Sequence, residues 1–67
     1  MKKEQITEKQ LEVLQLMAEG YNSEEIAKEL GNSKKTIDSI RAEMLLRLRA
    51  NNTAHLVAIG FRKRWLK

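Results

Sequence analysis

Residues 22–37, NSEEIAKELGNSKKTI, decide the fold, because they contain the signals for two helices and for the turn between them. Asn22 and Glu25 have the spacing of a capping box, which predicts the start of a short helix at this point. Gly31 is suited to end that helix, and Ser33 is a favourable N-cap for a new one two residues later. A short helix, a tight turn with glycine and a second helix with a basic start are typical of a helix-turn-helix.

Helical spacing continues outward from this stretch in both directions. Thr7 and Gln10 form another capping box, and Gly20 offers a left-handed cap to the helix that follows them. After the turn, Ile37 and Met44 lie on one apolar stripe with a helical period. The sequence therefore predicts an all-α domain of four helices, at about 8–19, 23–30, 34–49 and 54–66.

Length and composition limit what such a fold can be. The chain has 67 residues and no cysteine, so residues 1–67 are predicted to form one domain without a disulfide framework or a cysteine-based zinc site. A core of this size contributes only about 3–5 kcal/mol, and we therefore expect a homodimer that buries further apolar surface. No apolar run approaches the roughly 20 residues of a spanning helix, which favours a cytoplasmic protein without a membrane segment.

The charge is distributed unevenly along the chain. Residues 1–33 contain 4 basic and 7 acidic side chains, whereas residues 34–67 contain 9 basic and 2 acidic ones. The basic half suits a polyanion such as nucleic acid, and a solvated basic surface is the alternative interpretation.

The third predicted helix has a face that points away from its apolar stripe. The helical period places Asp38, Ser39 and Ala42 on this face, where short side chains would let the helix approach base edges in a groove. Leu46 lies on the same face and suits either a thymine methyl group or a protein contact. Plain exposure to solvent is the alternative interpretation for this group.

Cations stand at both ends of the same helix. Lys34, Lys35 and Thr36 occupy its first turn, where free backbone amides and the helix dipole favour a phosphate. Basic residues there do not help an isolated helix, which indicates a phosphate partner for the two lysines. Arg47 near the other end is a further candidate for a phosphate contact, although its charge also complements the helix dipole.

The sequence contains no combination of residues typical of an enzyme. His55 is the only histidine, and it has neither cysteine nor a nearby carboxylate cluster as a metal partner. No serine or threonine has a histidine base in a recognisable context, and glycine-rich phosphate loops are missing. We predict a protein that is not an enzyme and that uses no metal or cofactor.

One pattern runs through most of the chain: Thr7, Glu12-Val13-Leu14, Leu16, Ala18 and Gly20, then Glu25-Ile26-Ala27, Leu30, Ser33 and Thr36-Ile37, then Met44 and Arg47-Leu48. Over residues 6 to about 61 this pattern resembles the LuxR/GerE-type helix-turn-helix of bacterial transcription regulators. The resemblance implies a third helix in the major groove, a second helix across the DNA backbone and a fourth helix that forms a dimer contact.

The departures from that family lie mainly on the helix that would read DNA. Asp38 stands where the family usually has Lys or Arg, and Ile40 stands where it commonly has His. Thr53 replaces the family's Arg after the third helix, and Gly60 is the small residue late in the fourth. A carboxylate repels phosphate but accepts a hydrogen bond from the amino group of cytosine, so Asp38 is compatible with DNA. The base specificity of the family is not transferable to this chain.

A shorter resemblance points to a second kind of partner. Ile40, Arg41-Ala42-Glu43 and Leu45 to Leu48-Arg49 are similar to the promoter-reading helix in region 4 of bacterial sigma factors. Domains of that kind bind RNA polymerase as well as DNA. The competing hypothesis is therefore a protein-interaction module that uses the same helix-turn-helix surface for RNA polymerase or another regulator.

The leading hypothesis is a sequence-specific transcriptional regulator of the bacterial nucleoid, a stand-alone domain that binds double-stranded DNA as a homodimer. The predicted DNA contacts are Lys34, Lys35, Thr36, Asp38, Ser39, Ala42 and Arg47. The predicted dimer contacts, on the fourth helix and after it, are Leu56, Gly60, Phe61, Arg64 and Trp65.

Overall fold

The computed structural model describes residues 6–67, and the predicted all-α fold is confirmed. Its four helices are α1 (Glu8–Ala18), α2 (Ser23–Leu30), α3 (Lys34–Leu48) and α4 (Thr53–Arg62). Residues 1–5, which belong to the predicted single domain, lie outside the described residues. No helix in the described part is long and apolar enough to cross a membrane.

Both predicted capping boxes are present. The Thr7 hydroxyl accepts from the Gln10 backbone N–H at 3.1 Å, and the Gln10 side-chain oxygen accepts from the Thr7 N–H at 2.9 Å. Asn22 and Glu25 make the same reciprocal pair at 2.9 and 2.8 Å. Each cap satisfies backbone donors that the first turn leaves free, and such a cap contributes about 0.5–2 kcal/mol. These local bonds explain why α1 and α2 begin where the sequence predicts.

Glycine ends the first two helices in the left-handed conformation. Gly20 has a φ of +98° and Gly31 a φ of +69°. The reversal after α2 lets the Asn32 N–H donate to the Ala27 carbonyl at 2.9 Å. The chain then reaches Ser33, whose hydroxyl caps α3, so α2 and α3 are held in a helix-turn-helix.

The core lies where the four helices meet. Leu14 of α1, Ile26 of α2, Ile37 of α3 and Leu56 of α4 are each no more than 1% exposed. Met44, two helical turns after Ile37, is also buried. The stripe predicted from the period of α3 is therefore the side of that helix that packs on the core, and the opposite side faces solvent.

Four helix ends differ from the predicted bounds: α1 ends at 18, α3 ends at 48 and α4 begins at 53, each one residue from the prediction, and the end of α4 differs most. The helix α3 ends at Leu48, because Arg49 adopts the left-handed conformation and acts as its C-cap. The helix α4 ends at Arg62, four residues before the predicted end at 66. There the chain reverses at Arg64, whose φ is +65°.

The early end of α4 has a packing reason. The N–H groups of Trp65 and Leu66 both donate to the Gly60 carbonyl, at 2.9 and 3.2 Å, and this turn brings Leu66 back onto the core. Leu66 is only 7% exposed. A β-carbon at Gly60 would lie 2.7 Å from Leu66 Cδ1 and 3.0 Å from Leu14 Cδ2. Glycine therefore makes room for the protein's own side chains.

Candidate nucleic-acid interface

The exposed side of α3 carries one lysine near the start of the helix, followed by a row of uncharged side chains. Lys35, Ser39, Ala42 and Leu46 follow each other at steps of three or four residues, and all four are exposed. Leu46 is 80% exposed, more than any other large hydrophobic residue in the described chain. We call these four residues the α3 stripe. The side chains of Ser39 and Ala42, in the middle of the α3 stripe, are small enough for a close approach to another surface.

Asp38 is only partly exposed and is held by two hydrogen bonds. Its carboxylate accepts from the Ser23 hydroxyl at 2.7 Å and from the Lys34 ammonium at 2.9 Å. The hydrogen bond from Lys34, followed by that from Ser23, holds the pKa of the Asp38 carboxyl below its ordinary 3.8. The hydrogen bond between Lys34 and Asp38 also raises the pKa of the Lys34 ammonium. Asp38 thus joins the starts of α2 and α3 in the free protein.

Ser23 was not among the predicted site residues. It stands 15 positions before Asp38, and its hydroxyl reaches the carboxylate only because the turn folds α2 against α3. No local spacing rule connects the two positions. The contact shows that a residue predicted to face a base edge also has a structural role.

The remaining candidate phosphate contacts differ in whether their polar groups already have partners within the domain. The Thr36 hydroxyl accepts from the Ser33 hydroxyl at 2.9 Å, as part of the cap of α3. Arg47 and Glu43 form an exposed ion pair at 3.5 Å. The Lys35 ammonium makes no ion pair within residues 6–67. Among the predicted phosphate contacts, Lys35 is therefore the one whose charge is not matched by a carboxylate inside the described chain.

An open groove lies at the C-terminal end of the α3 stripe. It is shallow and wide open to solvent, has a volume of about 590 Å³, and begins at Ala42 and Leu46. Arg49 and Asn51, in the connection to α4, line its other side. The groove thus joins the exposed side of α3 to the loop that follows it.

The loop itself is closed by hydrogen bonds. The Asn51 N–H donates to Nδ1 of His55 at 3.0 Å, and the Asn52 side-chain oxygen accepts from the His55 N–H at 2.8 Å. His55 therefore serves the start of α4. Within residues 6–67 no three His, Asp or Glu side chains come together as a metal site.

The predicted dimer contacts separate into buried and exposed residues. Leu56 is 0% exposed, and Gly60 lies beneath Leu66, so these two belong to the core and are not available to a second copy. Phe61 is 47% exposed, Arg64 is exposed and Trp65 is partly buried. The exposed patch at the end of α4 therefore consists of Phe61, Arg64 and Trp65.

Comparison with known proteins yields one family and a set of regulators. The family described as bacterial regulatory proteins, luxR family, matches residues 4–59. The oxygen regulatory protein NreC of Staphylococcus aureus strain JH9 is 31% identical over 62 residues, which cover 92% of this chain, and the strain Mu3 protein matches equally. The chain spans 29% of the length of these relatives. No solved structure gives a significant match.

Proposed function

The chain belongs to the luxR family of bacterial regulatory proteins, and on this premise we propose that it binds double-stranded DNA as a transcription regulator in the bacterial cytoplasm. The observation that carries the proposal is the α3 stripe. A rigid helix with a buried side at Ile37 and Met44 presents short side chains and an unmatched lysine on its other side. This is the arrangement that a major groove accommodates.

Each end of α3 has a different task in this proposal. Lys35 and the first-turn backbone contact phosphates, with Lys34 and Thr36 joining when DNA competes for their present partners. Ser39 and Ala42 lie against base edges. The α3 stripe contains no Arg, Asn or Gln, and its one lysine, Lys35, contacts phosphate in this proposal. Its specificity therefore comes from the Ser39 hydroxyl and from apolar contact with thymine methyl groups.

Selection of bound sequences from random duplex DNA, at two salt concentrations, tests the proposal. We expect an enriched site with two-fold symmetry and binding that weakens steeply with salt, because phosphate contacts release counterions. A parallel selection from duplexes in which deoxyuridine replaces thymidine removes only the methyl groups. Equal enrichment of the same site in both libraries would contradict thymine readout, and no enrichment in either would contradict sequence-specific binding.

Asp38→Asn tests whether this carboxylate restrains Lys34. The change removes one negative charge from the interface and releases the lysine, while an amide oxygen can still accept from Ser23. We expect duplex DNA to bind about threefold to tenfold more tightly, with a slope of log affinity against log salt about one unit steeper. Weaker binding, confined to sites with one particular cytosine, would instead identify Asp38 as a base contact.

Dimerisation through the end of α4 is the second part of the proposal. Phe61 and Trp65 leave apolar surface exposed next to Arg64, and a second copy would cover it. Phe61→Glu is expected to shift the protein to monomer in sedimentation at tens of micromolar, while Tyr21→Glu, a matched change at another exposed aromatic residue, leaves the dimer intact. A wild-type protein that is already monomeric at this concentration would contradict the dimer.

One observation favours a second candidate function. The strong exposure of Leu46 next to the groove suits a protein partner, and RNA polymerase is the partner that the sigma-like segment indicates. On this hypothesis the domain binds polymerase through α3. Co-sedimentation with polymerase that Leu46→Asp abolishes, together with unsuccessful DNA selection, would favour it over the DNA proposal.

A further inference from the structure

Arg49 occupies a backbone position that favours glycine. Its φ of 57° and ψ of 41° lie in the left-handed region, where a β-carbon is crowded by the following carbonyl. The turn requires this conformation, because it allows the Ala50 N–H to donate to the Leu45 carbonyl at 2.9 Å. After α1 and α2 the corresponding reversals contain Gly20 and Gly31. An arginine at the third such position, like Arg64 in the reversal after α4, is a local conflict that calls for a reason.

The fold itself does not supply that reason. Arg49 is exposed, and its guanidinium makes no hydrogen bond or ion pair with any residue in 6–67. The helix dipole of α3 favours a cation at this end, but Arg47 already provides one in the last turn. The energetic disadvantage of arginine over glycine is therefore not offset by contacts inside the described chain.

The position of Arg49 relative to the α3 stripe indicates what it binds. It borders the groove that begins at Ala42 and Leu46, so it shares a surface with the residues proposed to face DNA. Lys35 lies 14 residues earlier, about 21 Å along the helix axis at 1.5 Å per residue. Two cations thus flank an uncharged row at the two ends of the same exposed side of α3.

We propose that the Arg49 guanidinium binds a backbone phosphate of DNA, and that arginine is retained at this left-handed position because its side chain makes this contact. The proposal rests on the proposed DNA binding of α3 and adds a contact at the opposite end of the helix from Lys35. A phosphodiester accepts two hydrogen bonds from the guanidinium fork, which a lysine or a glycine at this position does not offer.

Arg49→Gly is the decisive variant, because the change to glycine should raise the stability of the free domain and weaken its binding to DNA. We expect a melting temperature about 4 °C or more above that of the wild type, since glycine adopts the left-handed conformation freely. We also expect about tenfold weaker binding to a random duplex of fixed length, with a salt slope lower by about one unit. Circular dichroism and fluorescence anisotropy over a range of salt concentrations measure the two effects.

Two further variants separate charge from geometry. Lys9→Ala removes one positive charge from α1 and is expected to leave the salt slope unchanged. Arg49→Lys keeps the charge but loses the fork, and we expect it to retain the slope with about threefold weaker binding. Wild-type binding with an unchanged slope in Arg49→Gly would overturn the inference. A wild type that does not bind DNA at all would instead overturn the proposed function on which it rests.

Discussion

Ala42→Glu is expected to reduce the affinity for duplex DNA by about 100-fold or more without unfolding the protein. Ala42 is exposed in the middle of the α3 stripe, so a longer side chain meets no atom of the free domain's core. In the complex the new carboxylate would stand among base acceptors and between two phosphate rows. Like charges brought together at an interface cost several kcal/mol, and 1.4 kcal/mol corresponds to tenfold in affinity.

Ala18→Glu is the matched control for this prediction. It makes the same chemical change at an exposed alanine of α1, so it alters the net charge equally but not the proposed contact surface. We expect it to weaken binding only slightly, through long-range repulsion that salt screens. Anisotropy titrations of both variants on one selected duplex, with circular dichroism as a folding check, measure the difference. Equal losses in the two variants would show that α3 does not enter the groove.

The parts of the fold that the sequence predicts well are those determined by neighbours along the chain. The capping boxes at Thr7 and Asn22 use partners three residues away, and the predicted bounds of α2 agree with the structure at both ends. The apolar stripe of α3 follows from its period alone, and this also orients Ser39 and Ala42 toward solvent. Local rules suffice here because the interactions that decide the outcome are local.

The features that the sequence does not predict depend on contacts between distant residues. The period of α4 continues through Leu66, so nothing local signals that this side chain returns to cover Gly60. The Ser23–Asp38 hydrogen bond likewise exists only after the turn has formed. Arg49 illustrates the converse, because it adopts the left-handed cap although an arginine gives no local signal for that conformation.

Leu14→Ala is expected to leave the domain largely unfolded at 25 °C. Leu14 is 0% exposed, and its Cδ2 lies 3.0 Å from the position of a β-carbon at Gly60, so the side chain fills the space between α1 and α4. Truncating a buried leucine costs about 2–5 kcal/mol, including the cavity left behind. A domain below about 70–80 residues obtains only about 3–5 kcal/mol from its core. The single change therefore removes most of the stability available to the monomer.

Leu46→Ala shows whether this loss comes from burial, because it deletes the same atoms from the most exposed leucine of α3. At 80% exposure they make few contacts in the free protein, and the expected change in unfolding free energy is within about 0.5 kcal/mol. Urea titrations followed by circular dichroism compare the two variants directly. Binding to DNA should reduce the difference in unfolding midpoint between the two variants only if Leu14→Ala can still fold on the duplex, since a ligand stabilises the state that it binds. A Leu14→Ala variant that stays folded without DNA would contradict the prediction, and an unfolding midpoint that rises with protein concentration would show that a second copy supplies the missing stability.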